Sequence, residues 1–250
     1  MNRNLAVVIM AAGKGTRMNN PDLAKVMYSI NGKPLVEYVV DLAVRLDPAR
    51  IVVVVGWQKD AVVQHLMKTG KQIVFAEQTP QRGTGHAVMQ AESHMQKFVG
   101  DVLVLSGDVP LLSYNTMMDL IEFHRTNNAI TTVLTAEFED PTGYGRILRN
   151  AGGDVVAIVE HDDASEEQRR VREINSGIYV FDVVHLFQGL KHITPSNAQE
   201  EYYLTDVFEY FWKSKLKVCA VKATDPREIL GVNTPGQLEE ACAYMAGRSP

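Results

Sequence analysis

A run of apolar residues, Leu5–Met10, opens directly into Ala11-Ala12-Gly13-Lys14-Gly15-Thr16-Arg17-Met18. An apolar run without polar alternation marks a strand buried on both faces, the parallel kind that needs helices above and below it. Small residues at its end let the backbone come close to a ligand, and clustered N–H groups there attract phosphate. Lys14 and Arg17 add positive charge at the same place. Two common strand-and-glycine fingerprints fail. A dinucleotide site wants a glycine where Met18 stands and an acid near Gly56, and a P-loop wants a glycine at the same Met18. Taken alone, the loop is either a phosphate cradle or a tight turn with solvated charges.

Ile51–Val55 and Val102–Leu105 repeat the buried-strand pattern, with helical spacing between the strands at Leu35, Val39, Leu42, Ala43 and Leu46, at Ala61, His65 and Leu66, and at Ala87, Ala91 and Met95. Strands alternating with helices predict an α/β, Rossmann-like fold: a mostly parallel sheet with helices on both faces. After Asn115 the pattern changes. A helix is expected over 117–124 and an aromatic-rich helix over 203–213. Strands are expected over 130–136, 145–148, 155–160, 174–181 and 217–221, which reads as a mixed β-rich lobe grown onto the sheet. Thr234 caps a last helix, with Pro235 in its first turn and Gln237 three residues after the cap. The expected organisation is one domain, 1–250, with a half over about 1–115 and a second over about 116–250.

The chain has 250 residues, 46% of them hydrophobic, enough for a substantial core. A net charge of −5 lacks the basic surplus of a nucleic-acid binder. No run approaches the ~18 apolar residues of a membrane span. Cys219 and Cys242 form no C-x-x-C pair, so neither a zinc site nor a disulfide framework is suggested. The N-terminal run has no signal-peptide context, and a reducing cytoplasm is the expected location.

Asp108 follows a buried strand in Ser106-Gly107-Asp108-Val109-Pro110, at the edge where open α/β sheets bind ligands. Mg²⁺ takes one or two carboxylates and fills its shell with phosphate and water. Asp108 suits that role, and equally suits a turn bonded to nearby N–H groups. Lys25, a cation in the apolar stretch Leu23-Ala24-Lys25-Val26-Met27, either snorkels to solvent or aims a point charge at polyphosphate. Asn233 on its own reads as a turn residue before the last helix.

The ordered motifs narrow these choices. Val8-Ile9-Met10 and the glycine loop come first, then Gln81-Arg82-Gly83-Thr84-Gly85-His86-Ala87, Gly107-Asp108-Val109-Pro110-Leu111 and Asp140-Pro141-Thr142-Gly143-Tyr144-Gly145-Arg146-Ile147. Ile158-Val159-Glu160-His161, Glu173-Ile174-Asn175-Ser176-Gly177-Ile178, Glu201-Tyr202-Tyr203-Leu204-Thr205-Asp206 and Gly231-Val232-Asn233 follow. The set spans nearly the whole chain. It resembles the nucleotidyltransferases that activate sugar 1-phosphates, in particular the uridylyltransferase domain of the bacterial bifunctional N-acetylglucosamine-1-phosphate uridylyltransferases.

That resemblance implies transfer of UMP from UTP to N-acetylglucosamine 1-phosphate with Mg²⁺ as cofactor, serving cell-wall precursor synthesis. It places Ala11, Ala12 and Gly13 against the nucleotide, Gln78, Gly83 and Thr84 at the uracil, and Arg17 and Lys25 on the phosphates. Asp108 and Asn233 would bind the metal. Gly145, Glu160 and Asn175, with Tyr203 and Thr205, would line the sugar pocket, and the two halves become nucleotide-binding and sugar-phosphate-binding. Homo-oligomerisation is left open. A related transferase with another nucleotide or hexose phosphate, or a silent nucleotide-sugar sensor, are the competing readings. Ala24 stands where family members often have Pro, Ser106 where Tyr is frequent, and Ser176 where Thr is frequent. The family's bifunctional members continue into a β-helix acetyltransferase, and no hexapeptide repeat is expected in this sequence.

Overall fold

The computed structural model describes residues 4–18 and 20–247; the extreme ends of the expected 1–250 span lie outside the described residues. The first apolar run is strand β1 (Asn4–Ala11). A two-residue ribbon, β2 (Ser29–Ile30) and β3 (Lys33–Pro34), leads into α1 (Leu35–Arg45). Then β4 (Arg50–Val55), α2 (Lys59–Lys68), β5 (Val74–Glu77), α3 (Thr84–Met89) and β6 (Gly100–Ser106) alternate. β5, β4, β1 and β6 lie side by side and parallel.

The second part of the chain extends this same sheet. It contributes α4 (Tyr114–Thr126), β7 (Thr131–Glu137), a hairpin β8 (Arg146–Arg149) and β9 (Val155–Val159), α5 (Glu166–Arg169) and β10 (Glu173–Asp182). It ends with α6 (Val183–Leu190), α7 (Val207–Lys213), β11 (Val218–Lys222) and α8 (Pro235–Gly247). The long β10 inserts antiparallel between β6 and β7, and β11 adds parallel to β7, giving the order β11-β7-β10-β6-β1-β4-β5. β10 also pairs with β8, so the hairpin grows from the sheet as the expected outlying β lobe.

Successive side chains on a strand point to opposite faces, and β1 shows both faces dry. Leu5, Val7, Ile9 and Ala11 pack with α1, α2 and α4, while Ala6, Val8 and Ala12 pack with α3, α6 and α7. Burial of each large apolar side chain contributes roughly 1.5–3 kcal/mol, so the two layers clamp the strand ends from both sides. A third, smaller cluster of Met18, Ile30, Leu35, Leu111, Val232 and Ala241 seats α8 against the glycine loop. No helix among the described residues is long and apolar enough to cross a membrane.

Two expected elements differ in form. The aromatic helix starts at Val207, because Leu204–Asp206 makes a separate 3-10 turn whose Leu204 N–H donates to Thr84 Oγ1 at 3.0 Å. The helix through Ala87, Ala91 and Met95 is likewise split, into α3 and a 3-10 turn at Glu92–Met95.

Candidate active site

The site lies at the C-terminal ends of β1 and β6, and glycine geometry sets its closeness. Gly15 has φ of +65°, and a Cβ there would strike the Cβ of Lys25. Only glycine lets the loop lie against Lys25 in this way. Gly56, after β4, is pressed as closely: a Cβ would sit 2.9 Å from Ala12 O. Lys14 lines the same loop and carries its Nζ 5.4 Å from the centroid of the Trp57 ring.

Asp108 and Asn233, distant in sequence, are neighbours. Val232 N–H donates to Asp108 O at 2.9 Å, a one-rung bridge that lays the 231–233 turn along the end of β6. The turn before it is fixed by the buried Glu228 carboxylate, which accepts from Ser113 N–H at 3.1 Å and Thr116 Oγ1 at 2.6 Å. Thr234 caps α8 by accepting from Gln237 N–H at 3.3 Å. The Gln237 side chain reaches one residue further back than a capping box requires, accepting from Asn233 N–H at 2.8 Å.

Lys25 Nζ sits between the two side chains. It donates to Asp108 Oδ2 and, at 2.8 Å, to Asn233 Oδ1. Arg17 Nη2 donates to the same Asn233 oxygen at 3.1 Å. Two oxygens, one from a carboxylate and one from an amide, thus already converge on a cation. Among the described residues no three His, Cys, Asp or Glu side chains cluster as a metal cage. A sparse donor pair of this kind suits Mg²⁺, which completes its shell with water and substrate phosphate.

Two cavities meet here. The larger, about 500 Å³, is lined by residues 10–16, Lys25, Val26, Gln78, Gln81, Gly83, Thr84, Ala87, Ser106, Asp108 and Glu201. At its far end the Gln78 amide is committed: Nε2 donates to Gly83 O at 2.9 Å and lies 3.1 Å from His86 Nδ1. Burial, with Arg82 nearby, lowers the His86 pKa and favours the neutral ring that can accept this bond. The Gln78 backbone carbonyl accepts from Gln81 Nε2 at 3.1 Å, while its side-chain oxygen is left as an acceptor at the cavity wall.

The smaller cavity, about 180 Å³, shares Met10, Thr84 and Ser106 with the first and is otherwise lined by Gly143, Tyr144, Gly145, Glu160, Asn175, Ser176, Gly177, Tyr179, Leu204 and Thr205. A Cβ on Gly145 would stand 3.1 Å from Glu160 Oε2, so the glycine makes room for the carboxylate. Thr205 Oγ1 donates to Glu160 Oε1 at 3.0 Å. Burial raises the Glu160 pKa, opposed by that bond. Asn175 is held at both ends, donating to the Tyr179 hydroxyl at 2.7 Å and accepting from Gly177 N–H at 3.1 Å.

The structure therefore gathers Ala11, Ala12, Gly13, Lys25, Gln78, Gly83, Thr84 and Asp108 around one cavity, and Gly145, Glu160, Asn175 and Thr205 around the other. Arg17 and Asn233 join through the Lys25 cluster. Tyr203 departs from expectation. It lines neither cavity, its ring is buried, and its hydroxyl has no hydrogen-bond partner among the described residues. Extended backbone at Tyr203 and the turn that follows put Thr205, two residues on, at the cavity instead. Gln81, Glu201, Ser106, Tyr144 and Tyr179 line cavities without having been assigned a site from sequence. Tyr179 gave no signal, being one apolar residue in a buried strand.

The profile of the Nucleotidyl transferase family matches residues 6–226. The Bifunctional protein GlmU of Brevibacillus brevis is 48% identical over 241 residues, covering 96% of this chain and 51% of that protein. The Bifunctional protein GlmU of Pelotomaculum thermopropionicum is 44% identical over 245 residues, covering 98% and 53%. The chain spans about half the length of the curated relatives it matches. A crystal structure of UDP-glucose pyrophosphorylase complexed with UDP-glucose superposes with a TM-score of 0.79 at 19% identity, covering 98% of this chain and 100% of the other, a likeness of fold.

Proposed function

The chain belongs to the nucleotidyl transferase family, and from that premise we propose that it transfers UMP from UTP to N-acetylglucosamine 1-phosphate, releasing pyrophosphate, with Mg²⁺ as cofactor. The observation that carries this reading is the Asp108–Lys25–Asn233 cluster beside the shared walls of two cavities. One cavity takes the nucleotide and the other the sugar phosphate, and the acceptor phosphate meets the α-phosphate between them. In functional terms residues 1–115 supply most of the nucleotide wall and 116–250 most of the sugar wall.

The sugar phosphate oxygen attacks the α-phosphorus, and the bond from that phosphorus to the pyrophosphate oxygen breaks. The attacking phosphate is already ionised near neutral pH, so the chain needs no general base. The barrier is the approach of two polyanions, which positioning and charge neutralisation lower. Asp108 and Asn233 would hold Mg²⁺, which would supply Lewis-acid neutralisation of phosphate charge. Arg17 and Lys25 bind the nucleotide phosphates and steady the leaving pyrophosphate. Lys25 carries its charge on a flexible four-carbon stem and can exchange its protein oxygens for phosphate.

The commitment of Gln78 supports a uracil base. Its Nε2 is spent on Gly83 and His86, so the remaining carbonyl accepts. Uracil presents an N3–H donor, whereas cytosine presents a lone pair at that atom. In the other cavity Glu160, Asn175 and Thr205 face the hexose, and Gly145 gives them access. The test is pyrophosphate release with UTP, CTP, ATP and dTTP against a panel of hexose 1-phosphates, with the product identified. UDP-N-acetylglucosamine formed fastest supports the reading; a different preferred pair, or binding of the sugar nucleotide without turnover, rejects it.

A further inference from the structure

Apart from Asp108, the wall of the larger cavity contains one acid, Glu201. Its backbone is clamped by Asn197, whose Oδ1 accepts from Glu201 N–H at 3.1 Å and whose Nδ2 donates to Glu201 O. The chain then runs against the 82–85 turn: Tyr202 N–H donates to Arg82 O at 2.8 Å, and Gly85 N–H to Tyr202 O at 2.8 Å. Gly83, with φ of +97°, allows this approach, since a Cβ there would stand 2.9 Å from Glu201 Cβ. Glu201 is therefore fixed at the end of the cavity where Gln78 bonds to Gly83, away from Lys25. Its carboxylate differs from the others in the site. Asp108 faces Lys25 and Glu160 has Thr205. The Glu201 carboxylate has no hydrogen bond or ion pair among the described residues, and its oxygens are not sealed from the cavity. Burial raises its pKa, and no neighbouring cation acts against that.

A bare carboxylate is costly in the wall of a triphosphate site. It repels every phosphate and the carbonyl edge of the base, and it can be satisfied only by a hydrogen-bond donor. UTP offers few donors: the ring N3–H and the two ribose hydroxyls. The Gln78 side-chain oxygen already takes N3–H in the reading above, which leaves the ribose. We propose, resting on that reading, that Glu201 is a nucleotide-binding residue whose carboxylate accepts from the ribose hydroxyls and so selects ribonucleoside over deoxyribonucleoside triphosphates. The placement fits, because a ribose must lie between a base at Gln78 and phosphates at Lys25. The pairing is one that acids make with ribose hydroxyls at dinucleotide sites, and the charge on the acceptor strengthens it.

Glu201→Ala and Glu201→Gln in the full chain test this, assayed with UTP, 2′-deoxy-UTP and 3′-deoxy-UTP at fixed sugar phosphate. The side chain bonds to nothing in the free protein, so both variants should fold with an unchanged thermal midpoint. Wild type should prefer UTP over at least one deoxy analogue by roughly 10- to 100-fold in kcat/KM, the value of a hydrogen bond to a charged group. Glu201→Ala should bring that ratio to within about threefold of unity. Glu201→Gln keeps an acceptor oxygen without the charge and should fall between. Loss of a negative charge also eases triphosphate binding, but equally for each nucleotide, so the ratio isolates the ribose contact. KM for the sugar phosphate should stay within about twofold. A ratio that survives Glu201→Ala overturns the proposal. So does a lost preference for UTP over CTP in its place, which would put the carboxylate on the base. Calorimetric titration of UTP and the deoxy analogues onto wild type and Glu201→Ala, without acceptor, reads the same ratio without turnover. A ratio equal in the two proteins sinks the Glu201 contact even if wild type makes no product. A wild type that shows the ratio, loses it in Glu201→Ala and forms no UDP-sugar sinks the parent reading alone.

Discussion

At the residue scale the site depends on a few atoms brought together by backbone bonds. Asp108 is held through its own carbonyl by Val232 while its carboxylate faces Lys25. Asp108→Ala should therefore leave the fold intact and cut turnover by on the order of 10²–10³, the cost of losing a preorganised electrostatic group. Near-normal turnover in saturating Mg²⁺ would show that the carboxylate is not the metal's ligand. A second residue, Asp206, sits beside Thr205, and burial, with Glu209 and Asp163 nearby, pushes its pKa up to about 6 from 3.8. The sign follows from linkage: a carboxyl with a folded pKa above its unfolded one costs nothing below about pH 4, and its penalty is complete above about pH 6. Asp206 makes no side-chain cap bond to α7, so Asn can replace it without losing one. Asp206→Asn should match wild type at pH 4 and raise the unfolding midpoint at pH 7.5 by roughly 2–4 °C, the response to about 1 kcal/mol in a domain this size. Coincident pH profiles would refute it. Arg17, Lys25 and Asp108 could be singled out in the sequence because their chemistry is carried by type and motif, whereas the shift at Asp206 depends on burial that only the fold reveals. Tyr179 could not be, since a tyrosine in the apolar run of β10 looks like core until the fold sets it beside a cavity.

At the element scale, the buried strands β1, β4 and β6 were readable because nothing else gives unbroken apolar runs bounded by glycine. The start of α8 was readable from Thr234 and Gln237, but only the structure shows what Gln237 does, which is to hold the backbone N–H of Asn233 at 2.8 Å. Its amide therefore orients a site residue as well as helping to start a helix. Gln237→Ala should cost about 1 kcal/mol of stability, as lost caps do. It should also raise the magnesium concentration needed for half activity, while KM for the sugar phosphate changes little. A stability loss with no change in magnesium response would confine Gln237 to capping. The short 3-10 turn before α7 escaped the sequence because its cause is remote: Leu204 bonds to Thr84, 120 positions away.

At the scale of the whole molecule, the insertion of β10 between β6 and β7 is what local patterning could not reveal. Apolar alternation identifies a strand and says nothing of its neighbours. That insertion brings the Asn175–Tyr179 wall next to Ser106, and the return of the chain after β11 brings Asn233 within reach of Arg17, 216 positions earlier. The two large apolar clusters include nothing beyond Ile229, whereas the third depends on Val232 and Ala241. Truncation after Leu230 should therefore leave a folded α/β sheet by circular dichroism, with a lowered unfolding midpoint. Activity should suffer more than from Asn233→Ala in the full chain, because Met18 and Leu35 lose their cover as well and the Arg17 loop loses its seat. Comparing pyrophosphate release from the two proteins separates the contributions. Equal losses would mean that α8 serves the site only by presenting Asn233, and an active truncated chain would show that the site closes without the last helix.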